Sequence, residues 1–415
     1  MAKKKKKNTK KTAANIGFEE KLWEIADKLR GNLEPAVYKH DVLGLIFLKY
    51  ISDRFTTHQA KLADTDGADP EDRDEYTADN VFWVPKGGRW GEIQKQARQD
   101  TIGVILDKAM NAIEKENDSL RGVLHKDYAR PQLDKRRLGE LVDAVSEIDL
   151  VDEKRSSEDL LGRVYEYFVG KFASAEGKSG GEFYTPQCIV RLLVSMLQPS
   201  DGDRIYDPCC GSGGMFVQSA NFVTEHQKSA TEELSIFGQE SKDVTVRLCR
   251  MNLAVHGLST EGIKLGNSYY EDQHNSLERF DFVMANPPFN VNGVDKERIK
   301  DDPRYALGIP RADNANYLWI LDFYSALNDK GRAGFVMANS ASDARQSELD
   351  IRQKLIQSGH VDVMISISSN FFYTVTLPVT LWFFDKGKKN TDRKNKILFI
   401  DARKIFNQMD RAHRE

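Results

Sequence analysis

The chain has 415 residues, 40% of them hydrophobic, with 60 basic against 63 acidic side chains and a net charge of −3. That length exceeds one core and predicts two globular domains, and the balanced charge excludes a chain that grips a polyanion by bulk attraction alone. No apolar run approaches the roughly 20 residues that cross a bilayer, no signal-type segment comes after the lysine-rich start, and Cys188, Cys209, Cys210 and Cys249 have neither CxxC nor zinc-site spacing. A reduced, cytoplasmic protein with no metal and no membrane attachment is expected.

Residues 3–7 are all lysine, and Lys10 and Lys11 come soon after. Their charges repel and nothing apolar is there to pack, so residues 1–15 are expected to be a disordered basic tail, either simply solvated or touching phosphates. Phe18, Leu22, Ile25, Ala26 and Leu29 then recur at helical spacing, and Val42, Leu45, Ile46, Leu48 and Phe55 predict a second, more buried helix. An acidic loop at 64–75 is broken by Gly67 and Pro70. Ile102, Ile105, Leu106, Ala109, Met110 and Ile113 make a third stripe, and Leu138, Leu141, Val142 and Val145 a fourth. Residues 16–155 are thus expected to form an all-helical N-terminal domain. Leu160, Leu161, Val164, Tyr165 and Phe168 predict one more amphipathic helix, and residues 173–181 a flexible approach to the second domain.

From Arg204 the period changes. Short apolar runs at 204–206, 234–237, 263–265, 282–285, 334–337, 361–367 and 381–384 alternate with helical segments. This is the pattern of an α/β, Rossmann-like, doubly wound sheet covered on both faces, expected over residues 156–415.

Asp207-Pro208-Cys209-Cys210-Gly211-Ser212-Gly213-Gly214 comes after the first predicted strand and precedes a helix. Glycines there let the backbone turn sharply and approach a ligand, with Ser212, Gly213 and Gly214 leading into a helix N-terminus. Glu240 ends the second strand, where a carboxylate either accepts hydrogen bonds from a ribose diol or caps the helix starting near Lys242. Asn267 and Ser268, after the third strand, offer amide and hydroxyl groups suited to an adenine edge. Upstream, Glu182-Phe183-Tyr184-Thr185-Pro186-Gln187 precedes a helix. It supplies an aromatic pair for a pocket wall, a helix start with Thr185 as N-cap and Pro186 at the first helical position, or both.

Asn286-Pro287-Pro288-Phe289 stands at the carboxyl end of the fourth strand, where doubly wound sheets bind ligands. The lone pair of an aromatic amine, such as the 6-amino group of adenine, is delocalised into its ring. The Asn286 side-chain oxygen and the Pro287 main-chain oxygen can accept both amine hydrogens and favour a pyramidal nitrogen, while the prolines stiffen the loop and Phe289 stacks on an extruded base.

EFYTP, DPCCGSGG, GQE and NPPF, in this order, resemble the gamma-ordered amino methyltransferases. From about Phe18 onward the chain, including FWVPKGGRW at 82–90 and NANYLWI at 314–320, is similar to the methylation subunit of type I restriction-modification systems. The resemblance implies a seven-stranded methyltransferase domain behind the helical one, and transfer of a methyl group from S-adenosyl-L-methionine to the 6-amino group of a flipped adenine. It implies cofactor contacts from Glu182, Phe183, Tyr184, Thr185, Pro186, Gln187, Ser212, Gly213, Gly214 and Glu240, with Asp207 supporting the loop. The target-base site falls to Asn286, Pro287 and Phe289. The implied partners are double-stranded DNA, a DNA-specificity subunit joining two modification subunits, and a restriction or translocase subunit.

Two departures stand out. Cys209-Cys210 occupies a place where small residues such as alanine are common, which reads as packing, and the long C-terminal helical region of such subunits is expected to be absent. Protein-glutamine methylation by the same loop, cytosine-amino methylation and a non-catalytic scaffold are the competing functions. The first usually carries Tyr at the Phe289 position, the second more often Ser at the Asn286 position, and the intact 286–289 set argues against the third.

Overall fold

The computed structural model describes residues 23–24, 26–27, 35–79, 81–147, 167–168, 171–172, 185–226, 234–372, 377–408 and 414. The basic tail, most of the 18–29 stripe and the 160–168 helix, the 173–181 approach, and Glu182, Phe183 and Tyr184 lie outside them. The chain divides into two compact units, Met1–Asp118 with Leu124–Phe172, and Ser119–Val123 with Ala173–Glu415.

The first unit is helical. Its long helix α1 (Pro35–Ala63) is buried at every position from 41 to 52, so it is apolar all round rather than on one stripe and forms the centre of the unit. Helices α2 (Arg73–Ala78), α3 (Trp90–Gln94), α4 (Ile102–Glu116) and α5 (Lys135–Ser146) come after it. One buried charge on α1 is answered locally: Asp41 takes Arg130 in a fork at 2.8 and 2.5 Å and His125 at 2.9 Å. Burial alone raises its pKa, but the bonds from His125 and Arg130 hold it below the ordinary value. The acidic loop at 64–75 is correct except that its end winds into α2. The 82–90 segment is a brace. The Trp90 amide donates to Ser52 Oγ at 2.7 Å and its indole to Ser146 Oγ at 2.8 Å, tying α3 to α1 and α5.

The second unit is a sheet with helices on both faces. Helix α6 (Gln187–Leu197) leads into β1 (Arg204–Asp207), α7 (Gly214–His226), β2 (Ser235–Glu240), α8 (Asp243–Val255), β3 (Ile263–Leu265) and β4 (Phe280–Ala285). Then come α9 (Asn316–Ala326), β5 (Leu327–Ala338), α10 (Ser347–Gln357), β6 (Val361–Ile367), β7 (Val379–Asp385) and β8 (Leu398–Asp401). The strand order is β3-β2-β1-β4-β5-β7-β6-β8. All pairings are parallel except those of β7, which runs against β5 and β6. Every residue of β7 is buried, the continuous apolar run of a strand covered on both faces. Each of its large side chains contributes roughly 1.5–3 kcal/mol of burial.

All seven expected strands are present. The eighth, β8, corrects the expectation of seven: it pairs parallel to β6 at the sheet edge. Residues 397–400 are an apolar run outside the seven expected strands, and Leu398 and Phe399 within it are 55% and 73% exposed. The chain leaves β1 toward β2 on one side, while β4 returns on the other. That reversal opens a crevice at the carboxyl ends of β1 and β4.

Candidate active site

Two loops spring from that crevice. Strands β1 and β4 are neighbours, with Tyr206 opposite Val283, so the loop after Asp207 and the loop after Ala285 start from strands about 4.8 Å apart.

The first loop, 207–214, turns on glycine. Gly211 and Gly213 have φ of 52° and 79°, a region that costs other residues about 1–2 kcal/mol. A Cβ on Gly213 would stand 2.8 Å from Cys249 Sγ, whereas one on Gly211 or Gly214 would meet nothing within 4 Å. The loop is thus packed on one side and open on the other, a cradle that fits a cofactor lying against bare backbone. Its inner side is held by the Cys210 amide donating to Gln239 O at 3.1 Å and the Asn252 side chain donating to Ser212 O at 2.8 Å. The two cysteine thiols are pushed well up, that of Cys209 by burial and that of Cys210 by the Cys249 thiol and burial. They are protonated and serve as packing.

Asp207 is 2% exposed. Burial pushes its carboxyl up to about 7; the bond from the Cys209 amide works against this, and the charge of Glu240 works with it. This places the first-loop carboxylate near that of Glu240 at the end of β2. Glu240 Oε1 accepts from the Lys242 amide at 3.0 Å and from Ser241 Oγ at 3.1 Å. This local bond satisfies the amide ahead of the helix, whose N-cap Lys242 makes no side-chain cap bond, and it occupies one oxygen of a half-buried carboxylate.

After β3, Asn267 Oδ1 accepts from the Tyr269 amide at 3.1 Å. Ser268 differs from expectation: it is buried, and its hydroxyl donates to Pro208 O at 2.5 Å. It braces the glycine loop with its one proton, so toward an adenine edge it can accept a hydrogen bond but not donate one. Its own carbonyl accepts from Arg304 Nη1 at 2.8 Å. Arg304 also forks onto Asp302 and reaches Asp322 at 3.3 Å. Burial alone would lower the Arg304 pKa, but Asp322 and Asp302 hold it charged, while burial pushes the Asp322 carboxyl up to about 7.

The second loop begins at Asn286, whose Nδ2 donates to Thr185 Oγ1 at 2.9 Å. The side-chain oxygen of Asn286 is buried and has no hydrogen-bond partner. Pro287 is buried, with Pro288 and Phe289 half-buried beside it. Thr185 is free for Asn286 because Pro186, with ψ of 137°, takes the N-cap of α6 in place of the expected Thr185. Pro186 is buried and Gln187 half-buried.

Sequence reasoning missed the residues that hold the loops. Asn252 and Arg304 sit in no motif and carry no local signal, and Gln239, though it stands inside GQE, gains no role from that motif. Asn314 and Asn316 had one, the polar NAN opening an otherwise apolar helix, and Asn290 had only its place directly after Phe289. No group of three metal-ligating side chains occurs among the described residues, and no helix among them is long and apolar enough to cross a membrane.

Comparison with known proteins agrees with this geometry. The N-6 DNA Methylase family model matches residues 156–415, and the HsdM N-terminal domain model matches residues 18–145. The type I restriction enzyme MjaIX methylase subunit of Methanocaldococcus jannaschii is 40% identical across 95% of this chain and 74% of its own. The HindI methylase subunit of Haemophilus influenzae is 36% identical across 80% of this chain and 78% of its own. The fold matches the type I restriction-modification methyltransferase subunit of Streptococcus thermophilus with a TM-score of 0.81 at 23% identity, covering 96% of this chain and 89% of that one. The helical-domain match sets the chain with DNA methylases and apart from the protein-glutamine alternative. The chain belongs to the N-6 DNA methylase family of type I restriction-modification methylase subunits, enzymes that use S-adenosylmethionine to methylate the 6-amino group of adenine in DNA.

Proposed function

We propose that Asn286 Oδ1 and the main-chain oxygen of Pro287 receive the two hydrogens of the flipped adenine's amino group, with Phe289 stacked on the base and Pro288 stiffening the turn. One observation carries this reading: a buried side-chain oxygen without a partner, on an amide whose other end is fixed by Thr185 at 2.9 Å. Leaving a buried acceptor unmet costs on the order of 1–3 kcal/mol, and an arriving amine relieves it. S-adenosylmethionine, when bound, supplies an electrophilic methyl group. Asp207, Ser212, Gly213, Gly214 and Glu240 would hold it, Asn267 would border its adenine, and residues 182–187 would close the pocket. Neither Asn286 nor Pro287 titrates, so they orient the amine and polarise it, and the proton that leaves the methylated nitrogen goes to water.

In this reading the catalytic domain starts at residue 156, ahead of the division between the compact units at Phe172, and the helical domain helps to clamp the duplex. Sequence choice belongs to a separate DNA-specificity subunit that joins two copies of this chain, with a restriction subunit completing the assembly. The support is that the catalytic unit commits its strands and helices to the sheet, leaving little beyond residues 290–315 for groove contacts, and that the net charge is −3. The purified chain is expected to bind cofactor and to methylate a defined site only when the specificity subunit is added.

Asn286→Ala in the assembled enzyme tests the amine site. Loss of one preorganised hydrogen-bonding partner should lower single-turnover methylation by about 10²–10³-fold, with cofactor affinity retained. Undiminished turnover would overturn the assignment.

A further inference from the structure

We infer that Asn316, acting through Asn290, is a positioning residue for methyl transfer, and that helix α9 sets the target-base loop against the cofactor loop. This rests on the reading of Asn286 as acceptor of the target amine. Pro287 and Pro288 have no amide hydrogens, so their stretch of backbone cannot anchor itself by donating and its aim must be fixed at its two ends. One end is Asn286, held by Thr185. The other is Asn290, directly after Phe289, with a left-handed φ of 55°.

Asn290 is locked reciprocally to the first residue of α9. Its amide donates to Asn316 Oδ1 at 2.9 Å, and its own Oδ1 accepts from Asn316 Nδ2 at 2.9 Å and from Asn314 Nδ2 at 3.2 Å. Asn314 Oδ1 in turn accepts from the Asn316 amide at 2.8 Å, and the Ala315 amide donates to Val291 O at 2.9 Å. Asn316 is 2% exposed. Apolar packing would hold a helix start as firmly, but it would leave the loop free to slide; directional hydrogen bonds running both ways fix its direction as well.

The same helix reaches the other loop. Asp322 meets Arg304, Arg304 holds Ser268 O, and the Ser268 hydroxyl holds Pro208 O. The target-base loop and the glycine loop are therefore both tied by polar bonds to α9, part-buried at residue 316 and buried through residue 322. Methyl transfer needs nitrogen, carbon and sulfur in line, and an alignment error of an ångström is costly while affinity for either substrate survives it.

The test uses the assembled methylase with its DNA. Asn316→Ala should lower kcat by about 10- to 100-fold while KM for DNA, calorimetric affinity for S-adenosylmethionine and Tm stay close to wild type. Asn316→Asp should behave likewise, because it sets a carboxylate oxygen against Asn290 Oδ1. Asn290→Asp keeps both accepted bonds and should restore kcat to near the wild-type value, whereas Asn290→Ala should not. Unchanged kcat in Asn316→Ala, alongside the expected about 10²–10³-fold loss in Asn286→Ala, overturns the positioning role and leaves the amine site standing. Turnover by Asn286→Ala brings down the reading beneath. A joint fall of kcat, cofactor affinity and Tm in both Asn316 variants overturns the inference too, since it marks a purely structural bond.

Discussion

The two loops that meet at the β1/β4 crevice are built on opposite means. The cofactor loop is made by subtraction: glycines at 211 and 213 remove side chains so that backbone can turn left-handed and leave open space beside it. The target-base loop is made by constraint: two prolines restrict the backbone and amides on either side, Asn286 with Thr185 and Asn290 with Asn316, lock its ends. Holding a large ligand over bare backbone tolerates small displacements, whereas aiming one nitrogen does not. Binding and aiming are therefore assigned to different kinds of backbone on neighbouring strands.

That contrast is broken most severely by comparing Asn286→Ala with Glu240→Ala. The first should lower turnover by about 10²–10³-fold and spare cofactor affinity. The second should spare the chemical step at saturating cofactor and weaken binding by about 1.5–3 kcal/mol for each charge-assisted bond lost. Calorimetry checks it; since Oε1 already accepts from the Lys242 amide ahead of α8, an unaltered affinity would leave Glu240 with that local bond alone.

Gly213→Ala probes the subtractive loop at a smaller scale. Left-handed strain of about 1–2 kcal/mol adds to a Cβ set 2.8 Å from Cys249 Sγ, so cofactor affinity should fall by about tenfold or more. Adding Cys249→Ala should recover the part due to the clash and none of the part due to φ. If the double variant binds no better than Gly213→Ala, the Cys249 contact is not what the glycine avoids.

The smallest effect expected is in pH dependence. Asp207 moves from 3.8 in the unfolded chain to about 7 in the folded one. Between those values the folded state keeps a proton that the unfolded state has lost, so its contribution to stability declines as pH rises through the window and levels off above about 7. A cationic sulfonium ligand favours the ionised carboxylate, so the Tm gain from S-adenosylmethionine should grow over the same window. A gain that is flat with pH would place Asp207 out of reach of the ligand's charge.

Much of the site is legible in the sequence because its chemistry is local. Glycines at fixed offsets after a strand, and Asn-Pro-Pro-Phe at the end of another, state their backbone geometry in four to eight consecutive residues. Seven strands are legible for a related reason: burial on both faces demands unbroken apolar runs, as in β7. The edge strand β8 carries such a run too, Ile397 to Ile400, but its Leu398 and Phe399 stay exposed, so there the run does not mark burial. The place of Ser268 after β3 points it toward the ligand, yet the fold spends its hydroxyl on Pro208, sixty residues away.

The sequence by itself determined the class of sheet, the two loops and the kind of atom each presents, because propensity, period and short-range turn chemistry act within one segment. Only the tertiary structure decided how those atoms are paired: Thr185 with Asn286, Asn290 with Asn316, Ser268 with Pro208, and Asp207 buried beside Glu240. Such pairings depend on which chain segments the strand order brings together. A buried polar group takes whichever partner lies within about 3 Å of it in space, and separation along the chain carries no record of that distance.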